Sequence, residues 1–392
     1  MRKVAIILIA ALTACTAKAP LSLDVVRSEI ARNPEATCID GQEGRLKWNY
    51  TTGLELKAML DVYCHSERSE ESILEYVDSW YNAIIDSTGS IFKYRKSNYS
   101  LDHICPGRTL FQLYDLTGRE KYRAAMDSLY IQLLEQPRTP EGGFWHKAIY
   151  PDQMWLDGLY MAEPFYAEYT VRFVADSLER EENFRDIAHQ FQTVFDYTFD
   201  PETGLLRHAW DSSHQMFWSD PETGQSAHAW GRAMGWYAMA LVDVIEIMPS
   251  GEEHDQLVRL LNRVFDPLPL YADARTGMWY QVLDRPYEEG NYLEATCSAM
   301  FTYALLKGTR LGVLEGFTSE DAVTRYNELL NTFVTRGENG LVNLNDCCEV
   351  AGLGGRQSRS GDYDYYISEP VRSNDPKGIG PLIWAALEFE QI

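Results

Sequence analysis

The sequence is poor in positive charge and in long apolar runs, and both shortages exclude classes of protein. Its 35 Lys and Arg residues face 58 Asp and Glu residues, giving a formal net charge of −23 at pH 7. Proteins that bind nucleic acid need a basic face, so we predict no nucleic-acid partner. Beyond the N-terminus, no run approaches the roughly 20 apolar residues that a membrane-spanning helix requires.

The sequence also lacks the short motifs of several enzyme classes. It contains no Gly-x-Ser-x-Gly elbow, Walker loop, dinucleotide-binding fingerprint or His-Glu-x-x-His helix. Its 7 cysteines show neither a Cys-x-x-Cys pair nor a Cys/His spacing typical of zinc. We therefore predict no metal and no organic cofactor, and we expect most of the cysteines to be small buried residues.

The N-terminus has the features of a bacterial export signal. Two cations precede the apolar run 4–12, and Leu-Thr-Ala-Cys follows, ending at Cys15. The run is too short to serve as a spanning helix. Its end resembles a lipobox, which implies cleavage before Cys15 and acylation of that thiol. The alternative is an ordinary signal peptide that is cleaved near Ala17 or Ala19.

A glycine followed by an apolar or aromatic stretch recurs at intervals of roughly 45 to 75 residues. Each interval has room for two helices and their connections. The glycines are Gly44, Gly89, Gly143, Gly204, Gly277 and Gly340.

Between these glycines, apolar residues recur near i, i+3, i+4 and i+7, the spacing of amphipathic helices. The clearest stretches are 54–63, 73–85, 156–174, 184–195, 230–247, 257–265, 292–306 and 322–333. The predicted fold is all-α, an α/α six-barrel in which six helical hairpins form a closed ring, with short strands in the loops at one end. An open α-solenoid is the alternative, but the unequal unit lengths disfavour a regular array.

The pattern divides the chain into three parts. We predict a signal peptide at 1–14, a lipid-anchored segment at 15–40 and a single six-barrel domain at 41–392. The protein is expected to be an exported bacterial lipoprotein and a monomer, touching the membrane only through its anchor. No acidic run follows Cys15, which favours the periplasmic side over the cell surface.

Asp157 is the one acidic residue in an otherwise apolar helix start, next to Trp155 and Leu156. A carboxylate that is removed from water needs a partner, or is kept for acid/base chemistry. Asp157 could therefore cap a turn, bond to a buried backbone N–H, or act as a catalytic acid.

Other candidates on the glycine-led loops supply a second acid, several cations and flat aromatic faces. They are Trp48, Tyr50, Asp102, His103, His146, Lys147, Trp155, His208, Trp230, Arg232 and Trp236. Each also has a structural interpretation: Asp102 could cap the next helix, and the tryptophans and His208 could belong to the core. Together they provide what a pocket for an anionic sugar needs, including an acid/base pair.

Four segments carry a resemblance to a known family: MWLDGLYMAEPFY, HAWGRAMGWYAMALVDVIE, NYLEATCSAMFTYAL and YYISEPVRSNDPKGIGP. From about Trp48 to the C-terminus the chain resembles glycoside hydrolase family 105, the unsaturated rhamnogalacturonyl hydrolases. The related family 88 unsaturated glucuronyl hydrolases share that fold, which is the α/α six-barrel. One departure is Met234, where a small polar residue is expected.

The resemblance implies roles for individual residues. The family's catalytic Asp falls on Asp157 and its second active-site Asp on Asp102. The substrate-contacting groups fall on Tyr50, His146, Lys147, Trp155, His208, Arg232 and Trp236, and Trp230 stands beside them in the same motif.

The chemistry implied is hydration of a 4,5-unsaturated uronic acid that a polysaccharide lyase leaves on an oligosaccharide. Asp157 would protonate C4, water would add at C5, and the resulting hemiketal would open and expel the remaining sugar. Arg232, with His208 or Lys147, would hold the uronate carboxylate. The alternatives are a conventional inverting glycosidase that uses Asp102 and Asp157, and a surface glycan-binding lipoprotein without catalysis.

Overall fold

The computed structural model describes residues 19–66 and 70–392, and thirteen α-helices form most of this part of the chain. They are α1 (Leu21–Arg32), α2 (Tyr50–His65), α3 (Glu71–Ile84), α4 (Arg108–Thr117), α5 (Glu120–Leu134), α6 (Leu156–Phe173), α7 (Ser177–Thr198), α8 (Gly231–Ile247), α9 (Glu252–Phe265), α10 (Ala295–Arg310), α11 (Ser319–Phe333), α12 (Tyr363–Ser368) and α13 (Pro376–Phe389). All eight stretches that we predicted from apolar spacing are confirmed as helices.

Six helices form a closed inner ring. Helix α2 packs against α13, α13 against α10, α10 against α8, and α8 against α6. The single turn Cys105–Gly107 and the helix α4 that follows it close the ring between α6 and α2. The predicted all-α six-barrel is therefore confirmed.

An outer helix covers each inner one, and the sixth pair joins the two ends of the chain. Helices α3, α5, α7, α9 and α11 pack on α2, α4, α6, α8 and α10, while α1 packs on α13. Helix α1 buries Val25 and Val26 in this contact. Helix α1 therefore packs with the barrel helices, although it precedes the predicted domain start at residue 41. Residues 1–18, including Cys15, lie outside the described part of the chain.

The inner helices α8, α10 and α13 are buried on almost all sides, whereas an outer helix such as α9 carries one apolar stripe. On α8 every residue from Gly231 to Ile245 is buried, which is the pattern of a helix enclosed by protein. A Cβ on Gly235 would lie 2.7 Å from Met300 Sδ, so the bare Cα lets α8 approach α10 closely. No helix among residues 19–66 and 70–392 is both long and apolar enough to cross a membrane.

Short strands lie in the loops between the helices, as predicted. They form three antiparallel pairs: β1 (Gln153–Trp155) with β2 (Ala209–Asp211), β3 (Val334–Arg336) with β4 (Val342–Leu344), and β5 (Cys347–Cys348) with β6 (Val371–Arg372). Five of the six glycines have φ between 66° and 87°, which L side chains rarely adopt. The exception is Gly143, whose neighbour Gly142 takes φ 91° instead.

Candidate active site

Strands β1 and β2 bring Asp157 next to His208. In their antiparallel register Trp155 faces Ala209, and the Leu156 N–H donates to the His208 carbonyl at 3.1 Å. Asp157 follows in the first turn of α6, where the helix dipole favours a negative charge. Its Oδ2 lies 3.3 Å from His208 Nε2. The pairing of two short strands therefore sets the distance between the acid and the imidazole.

Asp157 occupies a nearly closed, aromatic environment. Its side chain is 15% exposed and that of His208 is fully buried, and the Trp155 ring meets His208 edge-on at 5.4 Å. Across the described residues, Asp157 Oδ2 and His208 Nε2 have no well-aligned hydrogen bond, and Asp157 has no ion pair with Lys or Arg. No cation is therefore committed to this carboxylate.

Asp102 has the opposite surroundings, because it is tied to a lysine. It lies on the single helical turn Leu101–His103, with Oδ2 at 2.5 Å from Lys147 Nζ and Oδ1 at 3.5 Å from His146 Nε2. Burial raises the pKa of the Asp102 carboxyl, but the charge and hydrogen bond of Lys147 outweigh it and bring the pKa below its ordinary 3.8.

The two neighbours of Asp102 differ in charge at neutral pH. Burial lowers the pKa of Lys147, yet the Asp102 carboxylate more than compensates and raises it above its ordinary 10.5. Burial, together with the nearby Lys147 charge, lowers the pKa of His146 to about 4. Asp102 and Lys147 therefore form an ion pair beside a neutral imidazole.

A stack of flat rings connects the surroundings of the two acids. Trp155 lies face to face with His146, with centroids 4.6 Å apart and planes 9° apart, and with Tyr150 at 5.1 Å and 18°. Because His146 touches Asp102 and Trp155 touches His208, the same stack borders both carboxylates.

Tyr50 lies among the charged groups of the site. Burial raises the pKa of its phenol, and the charges of Arg232, Asp102 and Asp157 all act on it. Its ring meets the Trp236 ring edge-on at 6.3 Å. Burial therefore keeps the phenol protonated, so its hydroxyl remains a hydrogen-bond donor.

Arg232 is a buried cation with no ion-pair partner. Its side chain is 2% exposed, its guanidinium lies 4.5 Å from the Trp230 ring centroid, and its Nη1 donates to the Cys348 carbonyl at 2.5 Å. No carboxylate in the described ranges lies within ion-pair distance of it, and its Nε has no hydrogen-bond partner. The charges of Glu294 and Asp375 act on it from farther away. With no carboxylate in contact, the guanidinium is able to bind an anionic ligand group.

Arg232 and Trp236 lie inside α8, which Trp230 caps. Both were grouped with the loop candidates, but they also belong to the stretch 230–247 that we predicted to be helical. Trp230 and Trp236 are each 1% exposed, so they form the floor of the site. Met234, the departure from the family pattern, is also buried within α8.

A cleft of about 360 Å³ opens beside Asp102 and Tyr50, a size typical of small-molecule sites. Its far wall carries charges of both signs, including Lys47, Glu349 and Arg372. Arg372 is held in place by Asp40 at 2.6 Å. A wall that mixes donors and acceptors suits a hydroxyl-rich ligand such as a sugar.

One residue of the site was missed from sequence. Tyr366 is fully buried, and its hydroxyl lies 2.7 Å from His208 Nδ1. It belongs to the segment YYISEPVRSNDPKGIGP that carries the family resemblance, but nothing in its local spacing points to His208.

The described residues contain no group of three or more His, Cys, Asp and Glu side chains that could hold a metal ion. The prediction that no metal or organic cofactor takes part stays a prediction. Cys105, Cys297, Cys347 and Cys348 are buried thiols, as expected of small core residues.

Comparison with known proteins places this architecture among glycoside hydrolases. The sequence model of Glycosyl Hydrolase Family 88 matches residues 21–392. A solved structure of a family 105 glycoside hydrolase from C. acetobutylicum ATCC 824 is 43% identical, with a TM-score of 0.89, and the match covers 95% of this chain and 100% of that one.

Two other relatives mark the range of similarity. Protein Atu3128 of Agrobacterium fabrum (strain C58 / ATCC 33970) is 38% identical over 234 residues, which cover 58% of this chain and 97% of that protein. The unsaturated glucuronyl hydrolase of Bacillus sp. GL1, responsible for the degradation of glycosaminoglycan, is 12% identical with a TM-score of 0.63, covering 94% of this chain and 95% of that one. That last likeness concerns the fold alone.

Proposed function

The chain belongs to the glycoside hydrolases of families 88 and 105, and from this membership we propose a specific substrate. The protein removes a 4,5-unsaturated uronic acid from the non-reducing end of rhamnogalacturonan-type pectin oligosaccharides that a lyase has produced. The observation that carries the proposal is the contrast between two acids in one site. Asp102 is ion-paired with Lys147 at 2.5 Å, whereas among the basic groups of the described residues only the His208 imidazole lies within 4 Å of the Asp157 carboxylate.

This contrast assigns the chemical roles. A carboxylate bound to a lysine stays charged, so Asp102 can stabilise positive charge on the sugar but is a poor proton donor. Asp157, free of cations and bordered by Trp155, gives its proton to C4 of the unsaturated ring. Positive charge then develops at C5, where the ring oxygen shares it.

Water completes the reaction. Asp157, now a carboxylate, takes a proton from the water that adds to C5. The hemiketal that forms opens to a ketone, and C1 becomes a hemiacetal that releases the remaining sugar as an alcohol. One water molecule is consumed and Asp157 is regenerated in its acid form.

The uronate carboxylate needs a cation in a protein whose net charge is −23. Arg232 supplies it, because its buried guanidinium has no carboxylate partner among the described residues. The sugar that leaves lies in the cleft beside Asp102. The mixed charges of Lys47, Glu349 and Arg372 on that wall favour a neutral, hydroxyl-rich unit such as rhamnose.

The test is an absorbance assay with a panel of lyase-generated disaccharides. Hydration removes the C4=C5 double bond, so we expect ultraviolet absorbance to fall with an unsaturated rhamnogalacturonan disaccharide. Asp157→Asn should keep the fold and lose about 10² to 10⁴-fold in rate, the usual contribution of general acid/base catalysis. If the protein acts only on unsaturated glucuronyl disaccharides, the proposed substrate is wrong and those disaccharides take its place. If it releases sugar from saturated glycans without a loss of absorbance, the proposed hydration is wrong and the protein is a conventional glycosidase.

We also propose that the protein is exported, anchored through acylated Cys15, and monomeric on the periplasmic side of the membrane. Residues 16–20 separate that cysteine from α1 and span at most about 18 Å, so the barrel would lie close to the lipid surface. Mass spectrometry of the mature N-terminus and fractionation of Cys15→Ala test the anchor, and light scattering of the solubilised protein tests the monomer. A soluble mature chain that begins after Cys15 would contradict the anchor.

A further inference from the structure

Tyr366 and His208 form an isolated, buried hydrogen bond directly behind the proposed catalytic acid. Both side chains are fully buried, and the Tyr366 hydroxyl lies 2.7 Å from His208 Nδ1. On the other side of the imidazole, Nε2 lies 3.3 Å from Asp157 Oδ2. The three side chains therefore form a line from the core to the acid.

The direction of this hydrogen bond decides where the imidazole carries its proton. Within the described ranges, the Tyr366 hydroxyl has no hydrogen-bond partner other than His208 Nδ1. If Nδ1 carried the proton and donated, the phenol O–H would be left buried without an acceptor, at a cost of about 1 to 3 kcal/mol. Tyr366 therefore donates to Nδ1, and the imidazole proton resides on Nε2, facing Asp157.

We propose that Tyr366 is a positioning residue that fixes the tautomer of His208 and so presents an N–H group to Asp157 Oδ2. The inference rests on the proposed function only in taking Asp157 as the acid. The distance of 3.3 Å, without good alignment, is that of a resting site. Catalytic hydrogen bonds of this kind often tighten when the substrate binds.

This arrangement determines which oxygen of Asp157 delivers the proton. Oδ2 is buried against His208, whereas the side chain as a whole is 15% exposed, so Oδ1 is the oxygen left to face the substrate. After Asp157 has protonated C4, its new carboxylate accepts a hydrogen bond from His208 Nε2. The opposite tautomer would set two lone pairs against each other, or would draw the Asp157 proton away from the substrate.

The neighbouring side chains hold Tyr366 in this orientation. Gln281 donates to the Tyr366 carbonyl at 3.1 Å and accepts from Trp230 Nε1 at 3.0 Å. The Trp230 ring lies 4.7 Å from the His208 ring and stacks on Tyr366 at 6.0 Å. The Gln281 amide thus holds both Trp230 and Tyr366, and these two residues pack against the His208 imidazole.

The test compares Tyr366→Phe with Tyr365→Phe in the full-length protein. Both changes remove one phenol hydroxyl from α12, but the Tyr365 hydroxyl accepts from the Gly352 N–H at 3.0 Å and does not reach His208. We expect Tyr366→Phe to lower kcat by about 10 to 100-fold, which is the usual effect of losing a hydrogen bond that orients a functional histidine. KM for the unsaturated rhamnogalacturonan disaccharide should change little, and Tyr365→Phe should match the parent.

Nitrogen-15 NMR of histidine-labelled protein reports the tautomer directly and does not depend on activity. The parent should show His208 protonated at Nε2, and Tyr366→Phe should show a mixture; the signal is assigned by its loss in His208→Gln. An unchanged tautomer in Tyr366→Phe overturns the proposal, whatever happens to the rate. Unchanged kcat with an altered tautomer overturns its catalytic part.

A pair of amide substitutions gives an independent check. Glutamine can place its N–H near the position of Nε2, whereas asparagine reaches only the position of Nδ1. We expect His208→Gln to retain about tenfold more activity than His208→Asn, because an N–H toward Asp157 is the required feature. Equal losses in the two variants would contradict this role of Nε2. If Asp157→Asn stays active, the proposed function fails, while the NMR result on Tyr366 still stands or falls by itself.

Discussion

Removing Lys147 should destabilise the protein far more than removing an ordinary surface lysine. In Lys147→Met, the Asp102 carboxylate loses the ammonium group that lies 2.5 Å away. His146 remains at 3.5 Å. Burial, the largest cause of its lowered pKa, persists in the variant and still disfavours a charge on the imidazole, although the Lys147 charge that also lowers this pKa is gone. The variant thus leaves a largely buried carboxylate without a cation.

The magnitude follows from how much of the pair is buried. The side chains of Lys147 and Asp102 are 23% and 19% exposed. Exposed ion pairs contribute about 0 to 1 kcal/mol, whereas breaking a fully buried one costs about 3 to 5 kcal/mol. For this pair we expect a loss of about 2 to 3 kcal/mol in the free energy of unfolding. The control is Lys96→Met, which breaks a 2.6 Å contact with Glu135 between side chains that are 41% and 47% exposed, and it should cost less than about 1 kcal/mol.

The pH dependence gives the prediction its sign. Asp102 has a lowered pKa, so its contribution is present above its ordinary 3.8 and is lost as the pH falls through the folded-state value. Lys147 has a raised pKa, so its contribution is present below its ordinary 10.5 and is lost only as the pH rises through the higher folded-state value. The difference between parent and variant should therefore be largest from about pH 5 to 10 and should shrink toward pH 3.

Urea unfolding at pH 7 and pH 3 measures this difference for both variants. A Lys147→Met loss that is no larger than the Lys96→Met loss would refute the assignment of Lys147 to a buried pair. A loss of equal size at both pH values would show that packing of the lysine stem, rather than charge, is responsible.

Two further predictions address the uronate pocket and the helix packing. Arg232→Leu should raise KM and lower kcat, while Arg232→Lys should restore only part of the activity because a point charge lacks the guanidinium fork. With the methyl ester of the substrate, the kcat/KM values of parent and both variants should converge. A difference that persists would mean that another residue binds the carboxylate. Gly235→Ala should lower the free energy of unfolding by about 1 to 3 kcal/mol, because its Cβ would lie 2.7 Å from Met300 Sδ; unchanged stability in urea would mean that α10 moves aside freely.

The individual helices could be predicted from sequence because each carries its own pattern of burial. On α9, for example, Leu257, Leu260, Leu261, Val264 and Phe265 are buried, and this spacing is readable without any partner. The pairing of α1 with α13 is different. Residues 21–32 were not among the predicted helical stretches, and no local pattern shows that they contact a helix at the far end of the chain. They were therefore included in the separate segment 15–40.

The same limit applies to the site. Asp102, Lys147 and Asp157 stand in recognisable motifs, and each motif is local. Tyr366 meets His208 across 158 residues of sequence, and the contact depends on the position of α12 relative to β2. Arg232 lies in a stretch that was predicted to be helical, but nothing in its motif shows that the guanidinium packs on the Trp230 ring and donates to the Cys348 carbonyl. Contacts across the barrel depend on how all the helices of the ring are arranged, so the sequence of a short segment does not reveal them.

The contrast between the two ends of the barrel explains why the chemistry lies at one of them. Asp243 lies about 16 Å along α8 from Arg232, and it is matched by Arg108 and Lys307, each at 2.8 Å. Glu246 next to it is likewise matched by Lys307 at 2.8 Å, so the carboxylates at that end are already paired. At the other end, among the residues that the structure describes, Asp157 has no Lys or Arg and Arg232 has no carboxylate within ion-pair distance, although each is largely buried. Glu294 and Asp375 act on Arg232 only from farther away. Buried charges without partners are costly, and natural proteins retain them chiefly where function requires it. An unsaturated uronic acid supplies a partner for each of these groups: its carboxylate binds Arg232, and its C4 accepts the proton of Asp157.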